Sequence, residues 1–126
     1  NIYNNLENMS TLIACLSTGK GTWGHVSRLI EDGKFERVFL ITNEFGKENF
    51  TKNNNTELVL IDQNQGLKEL QQDIYSKLKN KIKDPEISLN MVSGTGKEHM
   101  ALLSALLKLG LAINLTALTK EGINEV

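Results

Sequence analysis

Five short apolar runs, with polar or helix-like segments between them, constrain the fold of this chain more than any other feature. They lie at residues 11–16 (TLIACL), 37–42 (RVFLIT), 57–62 (ELVLID), 86–92 (EISLNMV) and 111–117 (LAINLTA). Near-continuous apolar runs of this length are typical of strands that are buried on both faces. Such strands need helices on both sides of the sheet, which parallel pairing through right-handed crossovers provides. The runs therefore predict an α/β fold with a mostly parallel sheet.

Apolar residues at helical spacing fill most of the connections between these runs. The first predicted helix carries Trp23, Val26, Leu29 and Ile30 and ends at Gly33, and residues 45–50 fit a short second helix. The third is predicted to continue to Pro85 from a repeat of Leu67, Leu70, Ile74, Leu78 and Ile82. The fourth covers residues 97–109, with three apolar residues on one face, Met100, Leu103 and Leu107, and with Ala101 and Ala105 beside them. Because residues 119–126 resemble a turn into a short sixth strand, we expect a Rossmann-like three-layer sandwich with five to six strands.

Size and composition fit one globular domain. The chain has 126 residues, of which 40% are apolar and 23% are charged, as is usual for a folded domain. We assign residues 10–126 to a single domain, and residues 1–9 to a disordered or expression-derived extension. The net charge of −1 argues against duplex DNA binding by overall electrostatic attraction, although it permits a local basic pocket.

The apolar runs and the cysteine content also bear on location. No run approaches 18 apolar residues and no secretory signal is visible, so we expect no membrane segment and a cytoplasmic location. The only cysteine, Cys15, cannot form an intramolecular disulfide and lies within an apolar run. We predict that Cys15 is a small core residue in a reducing compartment rather than a nucleophile.

Two Gly-rich loops each follow a predicted strand and open a predicted helix. Their sequences are STGKGTWG at residues 17–24 and SGTGK at residues 93–97. In open α/β sheets, ligands bind beyond the carboxyl ends of the strands. Both loops offer hydroxyls, glycine backbone, helix-start N–H groups and one lysine, which together favour an anion; the alternative is a pair of tight turns. The predicted ligand-binding residues of the loops are Gly19, Lys20, Gly21, Ser93, Gly94, Thr95, Gly96 and Lys97.

Two nucleotide-binding motifs can be tested against these loops. Gly19, Gly21 and Gly24 match the G-x-G-x-x-G dinucleotide fingerprint, and Glu44 follows at about the expected distance. Trp23 stands where that turn must pack tightly, and nothing downstream resembles a substrate domain, so a dinucleotide or other small-nucleotide site stays open as an alternative. The second loop departs from the P-loop motif at Met91 and Glu98, which argues against an ordinary nucleoside triphosphatase.

A histidine lies in the first helical turn after each Gly-rich loop. His25 and His99 could contact phosphate or act as a general acid or base, although a surface or partly packed histidine is the commoner arrangement. Without Cys or carboxylate partners at ligand spacing they do not predict a metal site, and we expect neither a metal nor a resident cofactor. Glu98 is explained as a favourable charge in the first turn of a helix.

The stretch from Ile87 to Ala117 combines a strand that ends in Asn, a turn rich in glycine with Thr and Lys, and an apolar helix with an early Met. This combination resembles the signature of the CRISPR-associated Rossmann-fold (CARF) domains. The matching residues are Asn90, Gly94, Thr95, Lys97 and Met100. The order Gly-Thr-Gly-Lys at 94–97 departs from the two adjacent glycines of that family. The first strand with its loop and the second strand, which ends in Ile-Thr-Asn-Glu44, are also similar, so the resemblance covers nearly the whole domain, although only the second loop is specific.

The resemblance implies a sensor of cyclic oligoadenylates, the second messengers of type III CRISPR antiviral defence. Such domains form homodimers with the ligand across the two-fold axis, where a symmetric ring offers each protomer the same phosphates. Lys97, Lys20 and the loop N–H groups would then hold phosphates, and Asn43 or Trp23 would contact an adenine. Packing against the sheet is the alternative for Trp23.

A second function implied by the resemblance is cleavage of the cyclic messenger, because small stand-alone relatives act as metal-independent ring nucleases. In that chemistry a 2′-hydroxyl attacks the adjacent phosphate and leaves a 2′,3′-cyclic phosphate, while a Ser or Thr and a Lys hold the phosphate. Ser17, Thr18 and Lys97 match those roles, and His25 and His99 are weaker candidates for a base. Most family members carry an effector domain, and whether one is missing here stays open.

Overall fold

One six-stranded sheet organises the domain. The computed structural model describes residues 10–16 and 19–126, so the extension proposed for residues 1–9 lies outside the described residues. The strands are β1 (Thr11–Cys15), β2 (Arg37–Thr42), β3 (Thr56–Leu60), β4 (Glu86–Asn90), β5 (Ala112–Thr119) and β6 (Gly122–Glu125). Their order across the sheet is β3-β2-β1-β4-β5-β6, and every neighbouring pair is parallel except the antiparallel pair β5–β6. The predicted Rossmann-like α/β fold with a mostly parallel sheet is confirmed.

Within the described part of the chain, four helices cover the two faces of the sheet. They are α1 (Trp23–Gly33), α2 (Glu44–Asn49), α3 (Leu67–Leu78) and α4 (Gly96–Lys108), and a 3₁₀ turn at Lys20–Thr22 precedes α1. Leu12 of β1 packs with α1 in one apolar cluster, whereas the next residue, Ile13, packs with α3 and α4 in the other. Successive strand residues point to opposite faces, which is why β1 is apolar at each position from Leu12 to Cys15. No helix among the described residues is long and apolar enough to cross a bilayer.

The strand order reverses direction between β1 and β4. The chain builds outward from β1 to β2 and β3, returns through α3 to β4, and then builds outward on the other side. At such a point the connections after the two central strands diverge to opposite faces and leave a crevice, where ligands of this fold class bind. The two Gly-rich loops follow β1 and β4, so both border that crevice.

Helix α3 ends earlier than predicted. It stops at Leu78, and the N–H of Lys81 bonds to the Leu78 carbonyl at 3.0 Å in a tighter turn. The Lys81 carbonyl accepts a hydrogen bond from the Arg37 guanidinium at 2.9 Å, a contact with β2 that competes with helical continuation. The prediction that the helix continues to Pro85 is therefore wrong, although Ile82 still packs on the core at this side of the sheet.

The packed face of α4 includes only one of the three residues of the predicted apolar face: Leu103 packs against the core, whereas Met100 and Leu107 are exposed. Ala101, Leu102, Ala105 and Leu106 are fully buried, whereas Met100 and Leu107 are 63% and 62% exposed. The two alanines allow α4 to lie close to the sheet and to α3, so the face with small residues packs inward. Met100 and Leu107 form an exposed apolar stripe on the outer side of α4.

Candidate functional site

The β4–α4 loop turns sharply at Gly94. Its φ of 107° lies in a region that residues with side chains rarely adopt. A Cβ atom here would lie 2.9 Å from Nε2 of His99, and 3.2 Å from both the Cβ of Cys15 and Oε1 of Glu98. The loop backbone therefore approaches the end of β1 closely, and glycine is required for both the turn and the approach.

Helix α4 starts with a capping box. The N–H of Glu98 donates to Oγ1 of Thr95 at 3.2 Å, and the N–H of Thr95 donates to Oε1 of Glu98 at 2.9 Å. The N–H groups of Gly96 and Lys97, at the first two helical positions, have no acceptor within the helix, and an anion can accept from them. The buried Glu98 carboxylate opposes an anion on its own side of the loop, so an anion is best placed on the Gly96–Lys97 side.

Lys97 bridges to the connection between β3 and α3. Its Nζ donates to the carbonyl of Gln63 at 2.7 Å and to the carbonyl of Gln65 at 2.8 Å. Carbonyls do not cancel the charge of the ammonium group, which has a third donor. The ion pairs found among the described residues are Arg28–Asp32, Lys77–Asp73 and Lys81–Glu57. Lys97 and Lys20 belong to none of them, so both keep a net positive charge near the sheet edge.

His25 links α1 to the far strands. The backbone N–H of Leu118 on β5 lies 3.3 Å from Nε2 of His25, and Nδ2 of Asn90 lies 3.2 Å from the same atom. Both neighbours are donors, so Nε2 acts as the acceptor and the ring proton lies on Nδ1. Asn90 also donates to the Thr116 carbonyl at 2.9 Å. From sequence, His25 was a candidate site residue and Asn90 was a residue of the CARF-like motif. In the structure both connect α1 to the strands β4 and β5.

His99 stabilises the second Gly-rich loop. Its Nε2 lies 2.7 Å from the carbonyl of Ser93, and because a carbonyl only accepts, Nε2 carries the proton. Ser93 itself is buried. Both histidines are thus partly packed, the commoner of the two arrangements considered from sequence, and each directs Nε2 at a protein group.

Lys20 and Trp23 belong to an aromatic cluster at the start of α1. The Nζ of Lys20 lies 5.6 Å from the ring centroids of both Trp23 and Phe45, within the range of cation–π attraction. The Trp23 ring also packs against Phe45 at 5.9 Å and edge-on against Phe50 at 5.7 Å between centroids. These contacts pack Trp23 among aromatic residues, and its contact with an adenine stays a prediction.

Gly21 and Gly24, two of the three glycines of the dinucleotide-like motif, make no close contacts. The first loop enters the 3₁₀ turn before α1, and a Cβ atom added at Gly21 or at Gly24 would meet no atom within 4 Å. In the dinucleotide fingerprint, the third glycine is needed for close packing of the helix on its strand. Gly24 has no such close contact, so it does not serve the purpose of the third glycine of the fingerprint.

Asn43 connects the ends of β2 and β3. Its Oδ1 accepts from the N–H of Gly46 at 3.0 Å and so caps α2, while its Nδ2 donates to Oε1 of Gln63 at 2.6 Å. Sequence analysis missed Gln63 and Gln65, which also hold Lys97. The signal was present, because the polar residues 62–65 directly follow β3 and therefore lie at the same sheet edge as both loops.

Cys15 is buried at the end of β1. Burial, and secondarily the negative charge of Glu98, raise the pKa of the Cys15 thiol from its ordinary value of 9.0 to about 12. The thiol is therefore protonated at neutral pH and inaccessible to a substrate. The prediction of a small core residue is confirmed.

Two points remain: the side chains that could hold a metal ion and the two predicted catalytic hydroxyls. Within residues 10–16 and 19–126, no three His, Cys, Asp or Glu side chains lie close enough to hold a metal ion. Ser17 and Thr18, the predicted catalytic hydroxyls, lie outside the described residues.

Fold and site together define a Rossmann-like α/β domain. Its Gly-rich loops and Lys97 lie at the edge of the sheet where the strand order reverses. No protein-family model matches the chain, and no curated protein matches it significantly.

Proposed function

We propose that this domain binds a cyclic oligoadenylate across a homodimer, as its resemblance to CARF domains implies. The observation that carries the proposal is the convergence of anion-binding groups beside β1 and β4. The close turn at Gly94, the first-turn N–H groups of Gly96 and Lys97, and the charge of Lys97 lie together there. A phosphodiester offers anionic oxygens to these donors, and a helix start favours such a charge.

The dimer is supported by the exposed stripe on α4. Met100 lies one turn after Lys97, and Leu107 continues the same side of the helix. Exposed apolar side chains of this size are typical of surfaces that a partner covers. We propose that a second copy packs on this stripe, because a two-fold axis there brings both copies of Lys97 to one symmetric ring.

Binding is favoured over the alternatives on two observations. A dinucleotide site of the fingerprint type is not supported, because Gly24 lacks the close packing that such a site needs. Cleavage is kept as an alternative rather than the main proposal: Nε2 of the weaker base candidates His25 and His99 contacts protein groups, and the predicted catalytic hydroxyls of Ser17 and Thr18 lie outside the described residues. It is an outcome of the experiment below.

The test is incubation of the protein with cyclic tetra-adenylate and with cyclic hexa-adenylate in EDTA, followed by thermal unfolding and chromatography. At a ligand concentration 100 times the Kd, binding stabilises the fold by about 2.7 kcal/mol, which raises the Tm of a domain of this size by roughly 10 °C. We expect this rise with one of the rings, and intact ligand afterwards. No rise with either ring contradicts the proposal, and linear products with a 2′,3′-cyclic phosphate show that the site is catalytic.

A pair of lysine variants on one helix localises the effect. Lys97→Ala removes the charge at the start of α4 and is expected to abolish the rise in Tm. Lys108→Ala, at the end of the same helix, is the matched control and is expected to keep it. Equal responses of the two variants would place the ligand elsewhere on the protein. Met100→Glu should in addition reduce the mass measured by light scattering from that of a dimer to that of a monomer.

A further inference from the structure

A second crevice, separate from the one between β1 and β4, lies near the Gly-rich loops. Its polar and aromatic lining complements the anion-binding groups of those loops. It opens between the start of α2 and the end of β3, with a volume of about 540 Å³, which lies in the range of small-molecule sites. Its walls include two carboxylates, Glu44 and Asp62, two amides, Asn43 and Gln63, and the ring of Phe45.

Both lysines of the candidate site are attached to walls of this crevice. Lys97 donates to the Gln63 carbonyl at 2.7 Å, and the Nζ of Lys20 lies 5.6 Å from the Phe45 ring centroid. A ligand that places its anionic group between these lysines therefore has the crevice next to it. The side chains of Gln63 and Asn43 are joined at 2.6 Å, so this wall is held in position before any ligand arrives.

The charge inside the crevice differs from the charge at its border. Its described lining residues include Glu44 and Asp62 and no basic residue, so a phosphate is repelled from the interior and attracted to the lysines outside. Neutral hydroxyl groups are suited to the interior, because carboxylates accept strong hydrogen bonds from them.

We propose that this crevice binds the nucleoside part of the ligand whose phosphate the Gly-rich loops hold, an inference that rests on the proposed anion-binding function. The ribose 2′-hydroxyl, the one hydroxyl that a 3′,5′-linked ring leaves free on each ribose, donates to the Glu44 or the Asp62 carboxylate. The base lies against Phe45, which is 39% exposed, since aromatic rings stack on any base. Oε1 of Gln63 accepts from Asn43, and the Nε2 hydrogens of the same amide suit a base edge that carries acceptor nitrogens.

The test is amide chemical-shift mapping of the ¹⁵N-labelled full chain with adenosine, adenosine 5′-monophosphate and inorganic phosphate. Adenosine should shift amides at 43–45 and 62–64, phosphate those at 94–97, and the monophosphate both sets. Glu44→Gln should lower the affinity for adenosine and for the monophosphate about tenfold, the loss expected for one hydrogen bond to a charged group. It should leave the affinity for phosphate unchanged. Glu48→Gln, an exposed carboxylate on the same helix, is the control and should change none of the three.

The outcomes separate this inference from the function on which it rests. Monophosphate shifts confined to 94–97, or an unchanged adenosine affinity in Glu44→Gln, would overturn the nucleoside site while leaving the anion site intact. Adenosine shifts at the crevice would support nucleoside binding there. If phosphate and both cyclic adenylates gave no response at 94–97, the proposed cyclic-oligoadenylate function would be removed.

Discussion

The imidazole of His25, in the first turn of α1, accepts a hydrogen bond from the backbone N–H of Leu118, which lies 93 residues later in the chain on β5. The same Nε2 atom contacts the amide of Asn90 at the end of β4. A single side chain thus connects the helix after the first strand to the last two parallel strands, beside the point where the strand order reverses.

This contact makes His25 a stability residue. His25→Ala leaves the Leu118 N–H and an Asn90 N–H without their acceptor, and an unsatisfied polar group in the interior costs about 1–3 kcal/mol. We expect that loss in the free energy of unfolding measured in urea. Arg28→Ala is the control, because Arg28 is exposed on the same helix, and it should change the value by less than about 0.5 kcal/mol. Equal stability of the His25 and Arg28 variants would show that the contact contributes nothing.

Gly94 and Gly96 are expected to respond oppositely to the same substitution. Gly94→Ala forces a side chain into a positive φ and against His99 and Cys15, so it should destabilise the domain by about 1–3 kcal/mol and abolish ligand binding. Gly96 is helical and a Cβ there meets no atom within 4 Å, so Gly96→Ala should be neutral or stabilising. Circular dichroism during thermal unfolding measures both. A Gly94→Ala variant as stable as Gly96→Ala would refute the close approach of the loop to β1.

Gly24→Ala distinguishes a helix glycine from a motif glycine. Because space is open around Gly24 and alanine favours helix, the substitution should stabilise the domain by about 0.4–1 kcal/mol. It should also leave the affinity for a cyclic adenylate unchanged. A loss of stability at this position would instead indicate the tight helix–strand packing of a dinucleotide site.

The Cys15 thiol makes stability depend on alkaline pH. Its pKa is raised from 9.0 to about 12 by burial, with a further contribution from Glu98, so the unfolded chain loses this proton at a lower pH than the folded one. The contribution to stability is complete below pH 9 and is lost as the pH rises from about 9 to 12. Between pH 8 and pH 10 the wild type should lose about 1 kcal/mol more than Cys15→Ala. Parallel pH profiles of the two proteins would contradict the assignment.

The two sides of α4 predict different costs of truncation. Leu102→Ala removes a fully buried side chain and should cost about 2–5 kcal/mol. Met100→Ala removes a side chain that is 63% exposed and should leave the stability of the isolated protomer nearly unchanged. Denaturation at low protein concentration, where a dimer dissociates, is the appropriate measurement. A large loss from Met100→Ala under those conditions would mean that this stripe packs within the protomer.

The strands and their parallel pairing were predictable because they depend on local patterns. A strand buried on both faces is apolar along most of its length, as in residues 12–15 of β1 and 38–41 of β2, and this pattern is visible in the sequence alone. The position of the loops followed from the same argument, since parallel strands end at one edge. The C-terminal end of α3 and the packed side of α4 were harder to predict from the sequence. An Arg37 contact from a distant strand decides the first, and the small size of Ala101 and Ala105 decides the second.

The sequence by itself determined the α/β class, the order of strands and helices along the chain, and the buried state of Cys15, because hydrophobic periodicity and a lone cysteine in an apolar run specify burial locally. Only the tertiary structure decided what the polar residues do. His25 and Asn90 hold strands together, and Lys97 bonds to the carbonyls of Gln63 and Gln65. Between the two Gly-rich loops, Gly94 makes close contacts and Gly24 does not. Those roles depend on partners that are tens of residues away along the chain, and residue type and spacing along one segment carry no information about a partner that only folding brings near.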